Sequence, residues 1–196
     1  MTNKALLMLD YQVALCGEGE HVKMPPLAAQ AAERGVIDNA AKVLAAARAA
    51  DWRIIHVRLA FDPTYALRTN RLPRFDNYPN NRLMLADSPE AAFVEPLAPA
   101  EGEPVVDKGC VDPFVGTPLL TMLAAENIRE VYLGGVATNL VVESAARHAS
   151  DAGLLPTVIE DMCASFDPAL HEVSMTKLMP LFARVASSAE VLEEIK

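Results

Sequence analysis

Residues 129–153, REVYLGGVATNLVVESAARHASDAG, constrain the fold more than any other stretch, because an apolar strand there runs through paired glycines into a helix of small residues. Val131, Tyr132 and Leu133 form the strand, Gly134 and Gly135 punctuate it, and the helix opens near Thr138 and Asn139. A strand-turn-helix elbow sets the first helical residues at the C-terminal edge of a sheet. Free backbone N–H groups and the positive helix end there favour an anion, or an oxyanion formed during reaction. The same pattern also serves an ordinary βα unit whose glycines only make the turn.

The rest of the chain supplies strands and helices in alternation. Lys4 to Leu9 is a short continuous apolar run, the pattern of a buried strand, and Asp10 follows at the edge where parallel sheets bind ligands. An aspartate there also serves as a helix or turn cap. Tyr11 to Pro26 reads as loop. Gly35 to Ala50 carries Ile37, Ala40, Ala41 and Leu44 at helical spacing, and Trp52 to Leu59 is a second strand, so a right-handed parallel crossover joins the two strands. His56, inside that strand, reads as a core residue rather than a metal ligand. Glu103 to Asp107 is a short strand followed at once by Lys108, either a solvated strand-end lysine or an electrostatic group held beside a carboxylate. Gly116 to Asn127 is a helix ended by a left-handed Asn127. Leu154 to Glu160 is a fifth strand with Asp161, Met162 and Cys163 in its C-terminal loop. His171 to Met179 then reads as a helix, Ala183 to Ala186 as a last strand and Ala189 to Ile195 as a terminal helix. Six strands alternating with helices predict an α/β protein, a three-layer α/β/α sandwich with a mostly parallel sheet.

Length and charge narrow the class. The 196 residues fit one domain, 1–196, and 17 basic against 26 acidic residues give a net charge of −9, which disfavours nucleic acid as a partner. No apolar run reaches the length of a membrane span and no basic leader precedes Ala5, so a soluble cytoplasmic protein is expected. The three cysteines, Cys16, Cys110 and Cys163, are odd in number and lack metal-type spacing, so neither disulfides nor a cysteine zinc site is expected. From Phe61 to Leu97 periodicity fails and prolines recur, the pattern of a lid, a binding loop or an oligomer contact. Arg68, Arg71, Arg74 and Arg82 lie there with Phe75 and Tyr78 between them. They form either a solvated or subunit-facing surface, or a place where an arginine pairs with a substrate carboxylate.

Three segments in this order, LMLDYQ, VVDKGCVDPFVGT and GVATNLVVESAARHASDAG followed by VIEDMCAS, resemble the isochorismatase-like hydrolase superfamily over nearly the whole chain. The resemblance implies a Rossmann-like parallel six-stranded sheet and assembly into dimers, tetramers or larger rings. It also implies amidohydrolase activity on nicotinamide, carbamoyl or ureido compounds through an aspartate, a lysine and a nucleophilic cysteine. Asp10 matches the aspartate and Lys108 the lysine. Val141 stands at the nucleophile's position, and a valine forms no thioester. Relatives also have a non-proline cis peptide that would fall at Val136–Ala137. True isochorismatases lack the cysteine and use the aspartate as an acid, but the elbow here, Ala137, Thr138, Asn139, is more similar to the amidase branch. The histidine-bearing metal motif of nicotinamidases is missing after His56, so no metal and no cofactor are expected.

The resulting expectation is a cysteine-independent hydrolase of a small molecule. Asp10 would be its general acid or base, Lys108 would orient it, and the backbone N–H groups of Ala137 and Val141 would form an oxyanion hole. Val136, Thr138, Asn139, Arg74 and Phe75 would contact substrate. Two alternatives stand beside it: a catalytically silent binding or scaffold protein in which Asp10 and Lys108 are a structural pair, and a hydrolase using Cys110. Apolar helix faces rich in Ala and Met add an expectation of a homo-oligomer, a dimer or tetramer.

Overall fold

The computed structural model describes residues 3–195, and residues 1, 2 and 196 of the expected domain lie outside them. The strands β1 (Lys4–Leu9), β2 (Arg53–Leu59), β3 (Val105–Lys108), β4 (Glu130–Val136), β5 (Leu155–Ala164) and β6 (Arg184–Ala186) form one sheet of order β3-β2-β1-β4-β5-β6. Every neighbouring pair is parallel, so the sheet is wholly rather than mostly parallel. The chain starts at the centre, works outward to β3, then returns to lay β4 on the other side of β1. In such sheets the reversal leaves a crevice between the two central strands at their carboxyl ends.

The helices are α1 (Val13–Cys16), α2 (Pro25–Glu33), α3 (Val36–Ala49), α4 (Asn77–Asn80), α5 (Leu119–Ala125), α6 (Glu143–Asp151), α7 (Pro168–Val173) and α8 (Ser188–Ile195). Side chains alternate across β1: Leu6 and Met8 pack with Leu27, Leu44 and Val191 of α2, α3 and α8. Ala5, Leu7 and Leu9 pack on the opposite face with Leu119, Leu123 and Ala145 of α5 and α6. Both faces of β1 are covered, which is why its sequence is apolar without alternation.

Several boundaries differ from the sequence expectation, and three of these differences shape the elbow. Gly134 and Gly135 belong to β4 and do not make the turn. A Cβ on Gly135 would run into the backbone oxygen of Leu9, and one on Gly134 into Tyr11 Oη and Met162, so these glycines permit close approach between strands. The turn itself lies at the Val136–Ala137 peptide, which is cis, followed by a single π-type turn over Thr138–Val142 that feeds α6. β5 runs on through Asp161, Met162 and Cys163, because a register shift between Leu133 and Gly135 lets it stay paired with β4 as far as Ala164.

Within the expected loop 11–26, Val13–Cys16 form α1, and its last two residues, Pro25 and Pro26, begin α2, in which Leu27, Gln30 and Ala31 are buried. Gly35, at φ 62°, separates α2 from α3. The expected helix from His171 starts earlier, at Pro168, where the Asp167 side chain accepts from Ala169 N at 2.8 Å, and it continues as a π-type turn over Ser174–Leu178.

Candidate active site

At the carboxyl ends of β1, β3 and β4 a cavity of about 90 Å³ brings together Asp10, Lys108, Val136, Ala137 and Val141. Asp10 takes φ +57°, a left-handed conformation costly for a residue with a side chain, while its N–H continues the ladder to Val57 O at 2.9 Å. The next two residues anchor that bend. Tyr11 Oη donates to Met162 O at 2.7 Å, and the Gln12 amide exchanges hydrogen bonds with both backbone groups of Leu59, each at 2.9 Å. Gln12, which sequence reasoning passed over, thereby fixes the end of β2 beside the site.

Lys108 is the last residue of β3 and is buried. Its Nζ meets Asp10 Oδ2 at 2.8 Å and donates to Cys110 O at 2.9 Å. Gly109 follows because the segment after β2 crosses here: a Cβ would strike the backbone of Leu67. Burial pushes the Asp10 carboxyl above its ordinary range, with the Lys108 ammonium pulling the other way. Asp10 Oδ1 is buried and, among the described residues, accepts no hydrogen bond from a side chain or backbone group. A carboxyl raised in this way is basic for its type, and Asp10 lies in the cavity wall. Across the same space, the Ala137 N–H finds no protein acceptor among the described residues.

The segment between β2 and β3 forms the outer wall. Of its four arginines, Arg68 and Arg74 line the cavity with Phe75 and Tyr78, whereas Arg71 and Arg82 do not. Arg68 is held by Asp76 at 2.7 Å; the exposed Arg74 lies over the Phe75 ring, 4.9 Å from its centroid. Tyr78 of the same segment completes the wall, together with Asn70 and Phe166, which no sequence motif announced.

Thr138 and Asn139, expected to contact substrate, are absent from the cavity wall. The π-type turn points them backward: Thr138 Oγ1 meets His171 Nδ1 at 2.8 Å, and Asn139 Oδ1 accepts from Ser165 Oγ at 2.5 Å.

None of the cysteines has the surroundings of an activated nucleophile. Burial pushes Cys16 and Cys163 up to about 12. Cys110 reaches the cavity, but its thiol donates to the carbonyls of Asp112 at 3.4 Å and Val115 at 3.8 Å, with no side-chain base hydrogen-bonded to it. His56 is buried in β2 and bonded to Glu103 at 2.8 Å, as the core reading of that residue anticipated. Among the described residues no group of three or more His, Cys, Asp or Glu is placed to hold a metal ion.

Fold and site together define a three-layer α/β protein with a cavity at the carboxyl ends of its central strands. The family profile described as "Isochorismatase domain" matches residues 4–190. The chain belongs to the isochorismatase family and is a hydrolase. It is 30% identical to the ureidoacrylate amidohydrolase RutB of Methylorubrum extorquens over 201 aligned residues, covering 94% of this chain and 79% of that one. It is 24% identical to the maleamate amidohydrolase of Pseudomonas putida over 192 aligned residues, covering 98% and 86%. Among solved structures, an isochorismatase family protein from Desulfovibrio vulgaris superposes with a TM-score of 0.85 at 21% identity, covering 98% of each chain. A cysteine hydrolase from Pseudomonas syringae pv. phaseolicola gives 0.81 at 22% identity, covering 98% and 92%. These two likenesses bear on the fold alone. No described helix is long and apolar enough to cross a membrane.

Proposed function

We propose that this protein is an amidohydrolase of small, carboxylate-bearing amides or ureides, and that it uses water rather than a thiol as nucleophile. The observation that carries the proposal is Asp10, a residue of the cavity wall whose carboxyl burial makes more basic and whose Oδ1 is buried without a partner among the described residues, while no cysteine there is hydrogen-bonded to a side-chain base among those residues. In the resemblance that the sequence carries, Val141 stands at the nucleophile's position, which supports a route without a thiol. The names of the ureidoacrylate and maleamate amidohydrolases supply the substrate class.

In the proposed reaction a water molecule lies against Asp10 Oδ1 and attacks the carbonyl carbon as Asp10 takes its proton. The C=O π pair moves to oxygen, where the N–H groups of Ala137 and Val141 receive the negative charge. The tetrahedral adduct then collapses: the C–N bond breaks, and the nitrogen takes the proton from Asp10, which returns to its starting state. Lys108 holds Oδ2 throughout and so aims Oδ1. Arg74, the cavity arginine without a carboxylate partner among the ion pairs of the described residues, is placed to receive the substrate carboxylate.

Mass-spectrometric product analysis with maleamate and ureidoacrylate tests the proposal. The wild-type protein releases the deamidated acid, Asp10→Asn loses about 10²- to 10⁴-fold in kcat, and Arg74→Ala raises KM with little change in kcat. Equal turnover by wild type and Asp10→Asn would remove Asp10 from the chemistry. Absence of turnover in both would favour a binding protein with the same pocket.

A further inference from the structure

Behind the elbow, on the side away from the cavity, four polar side chains are joined in series. Thr138 Oγ1 meets His171 Nδ1 at 2.8 Å, and His171 Nε2 meets Glu160 Oε1 at 2.9 Å. Arg34 Nη2 reaches the same Glu160 oxygen at 2.5 Å, and its Nε donates to Cys163 O at 3.0 Å. The series links the first residue of the π-type turn to α7, to β5 and to the residue that ends α2.

Proton placement follows from the acid. The hydrogen bond from His171, with Arg34 adding to it against partial burial, holds Glu160 down at about 2, so it is an acceptor at neutral pH. His171 Nε2 therefore donates to it, and Nδ1 is the ring atom that meets the Thr138 hydroxyl. Hydroxyl, imidazole and carboxylate are the donor set of a nucleophile triad. Thr138, however, is fully enclosed, and Val136, Ala137, Leu140 and Val141 wall the cavity in its place. The hydroxyl serves the turn instead of the substrate.

We propose that His171 is a positioning residue: through Thr138, and braced by Glu160 and Arg34, it holds the elbow so that the backbone of Ala137 and Val141 stays in register with Asp10 across the cavity. The role rests on the hydrolase reading above, because it is that reaction the elbow would serve. Thr138 is one residue from Ala137 and three from Val141, so releasing its side chain frees both N–H groups. A misplacement of about 1 Å costs on the order of 10²-fold in rate. An open cleft of about 470 Å³, lined by Arg34, Glu160 and His171 among others, reaches the imidazole from outside. A small molecule can therefore replace the ring if the ring is removed.

The test uses the full chain with maleamate and ureidoacrylate, and the variants Thr138→Val, Thr138→Ser and His171→Ala. Expected are kcat losses of roughly 10- to 100-fold for Thr138→Val and His171→Ala, with KM little changed. Thr138→Ser, which keeps the hydroxyl, is expected near wild type, and added imidazole restores His171→Ala. In ¹H–¹⁵N spectra the Ala137 and Val141 amide signals move in Thr138→Val and stay in Thr138→Ser. Wild-type kcat in Thr138→Val, with those signals unmoved, would overturn the proposal. If the wild-type protein turns over neither compound, the hydrolase reading fails separately and the amide signals alone decide the positioning role.

Discussion

Removing Lys108 while leaving Asp10 isolates the ion pair on which the site depends. Nζ and Oδ2 are 2.8 Å apart, with side chains 2% and 6% exposed. At an effective dielectric constant near 20 their attraction is roughly 6 kcal/mol, most of it offset by the hydration both groups give up on burial. Deleting one partner cancels the attraction but leaves the other charge buried, so Lys108→Met is expected to cost about 3–5 kcal/mol at pH 7. At roughly 2–4 °C per kcal/mol for a domain of this size, that lowers Tm by about 6–20 °C. Adding Asp10→Asn removes the stranded charge, and the double variant is expected to recover at least about 2 kcal/mol as coupling between the sites.

The sign of the pH dependence follows from Asp10. Burial already raises its carboxyl, and loss of Lys108 removes the opposing pull. An acid whose folded pKa exceeds its unfolded value contributes stability that is full below the unfolded value and lost as pH rises through the folded one. The deficit of Lys108→Met therefore shrinks between pH 7 and pH 5, while the double variant shows no such slope from this site. Urea denaturation of all four proteins at both pH values is the assay. Additive losses with no coupling, or a deficit independent of pH, would refute the account of a buried, mutually dependent pair.

Three further outcomes are expected. Val141→Cys places a thiol at the cavity wall, and iodoacetamide should alkylate it faster than Cys16 or Cys163, both held near 12; peptide mapping reads the site, and equal labelling would misplace residue 141. Gly135→Ala forces a Cβ against the backbone oxygen of Leu9 and should cost about 3 kcal/mol or more in urea denaturation; a neutral result would mean that β1 and β4 are not so close. Glu103 and Glu160 are both held down at about 2 from an ordinary 4.5, the first against the effect of burial, chiefly by its hydrogen bond from Arg48, and the second chiefly by its hydrogen bond from His171. Their stabilisation is full above pH 4.5 and lost as pH falls toward 2, so Tm should drop across that window and drop less in Glu160→Gln.

Much of the fold was legible because its signals are local. The apolar run of Lys4–Leu9, the helical spacing within Val36–Ala49 and the left-handed Asn127 follow from burial, periodicity and backbone preference within a few residues. α2 escaped notice because Leu27 and Ala31 are the only apolar residues buried on it and Gln30 lies between them; that glutamine's Oε1 accepts from Ser165 N at 2.5 Å, across 135 residues. Gly134 and Gly135 were visible as glycines but not as contacts: what excludes a Cβ is Leu9 and Tyr11, supplied by a neighbouring strand.

The sequence by itself determined the order of the six strands, the place of Asp10 and Lys108 at strand ends, and a valine at position 141. Each of these depends on a residue and its near neighbours. Only the tertiary structure decided which way the elbow's side chains face, turning Thr138 to His171 and Asn139 to Ser165 while Arg74 and Phe75 came to the cavity. It also decided that Asp10 would be buried and, among the described residues, paired through one oxygen. A side chain's direction and its hydration are set by what packs against it from distant parts of the chain, and no local pattern encodes them.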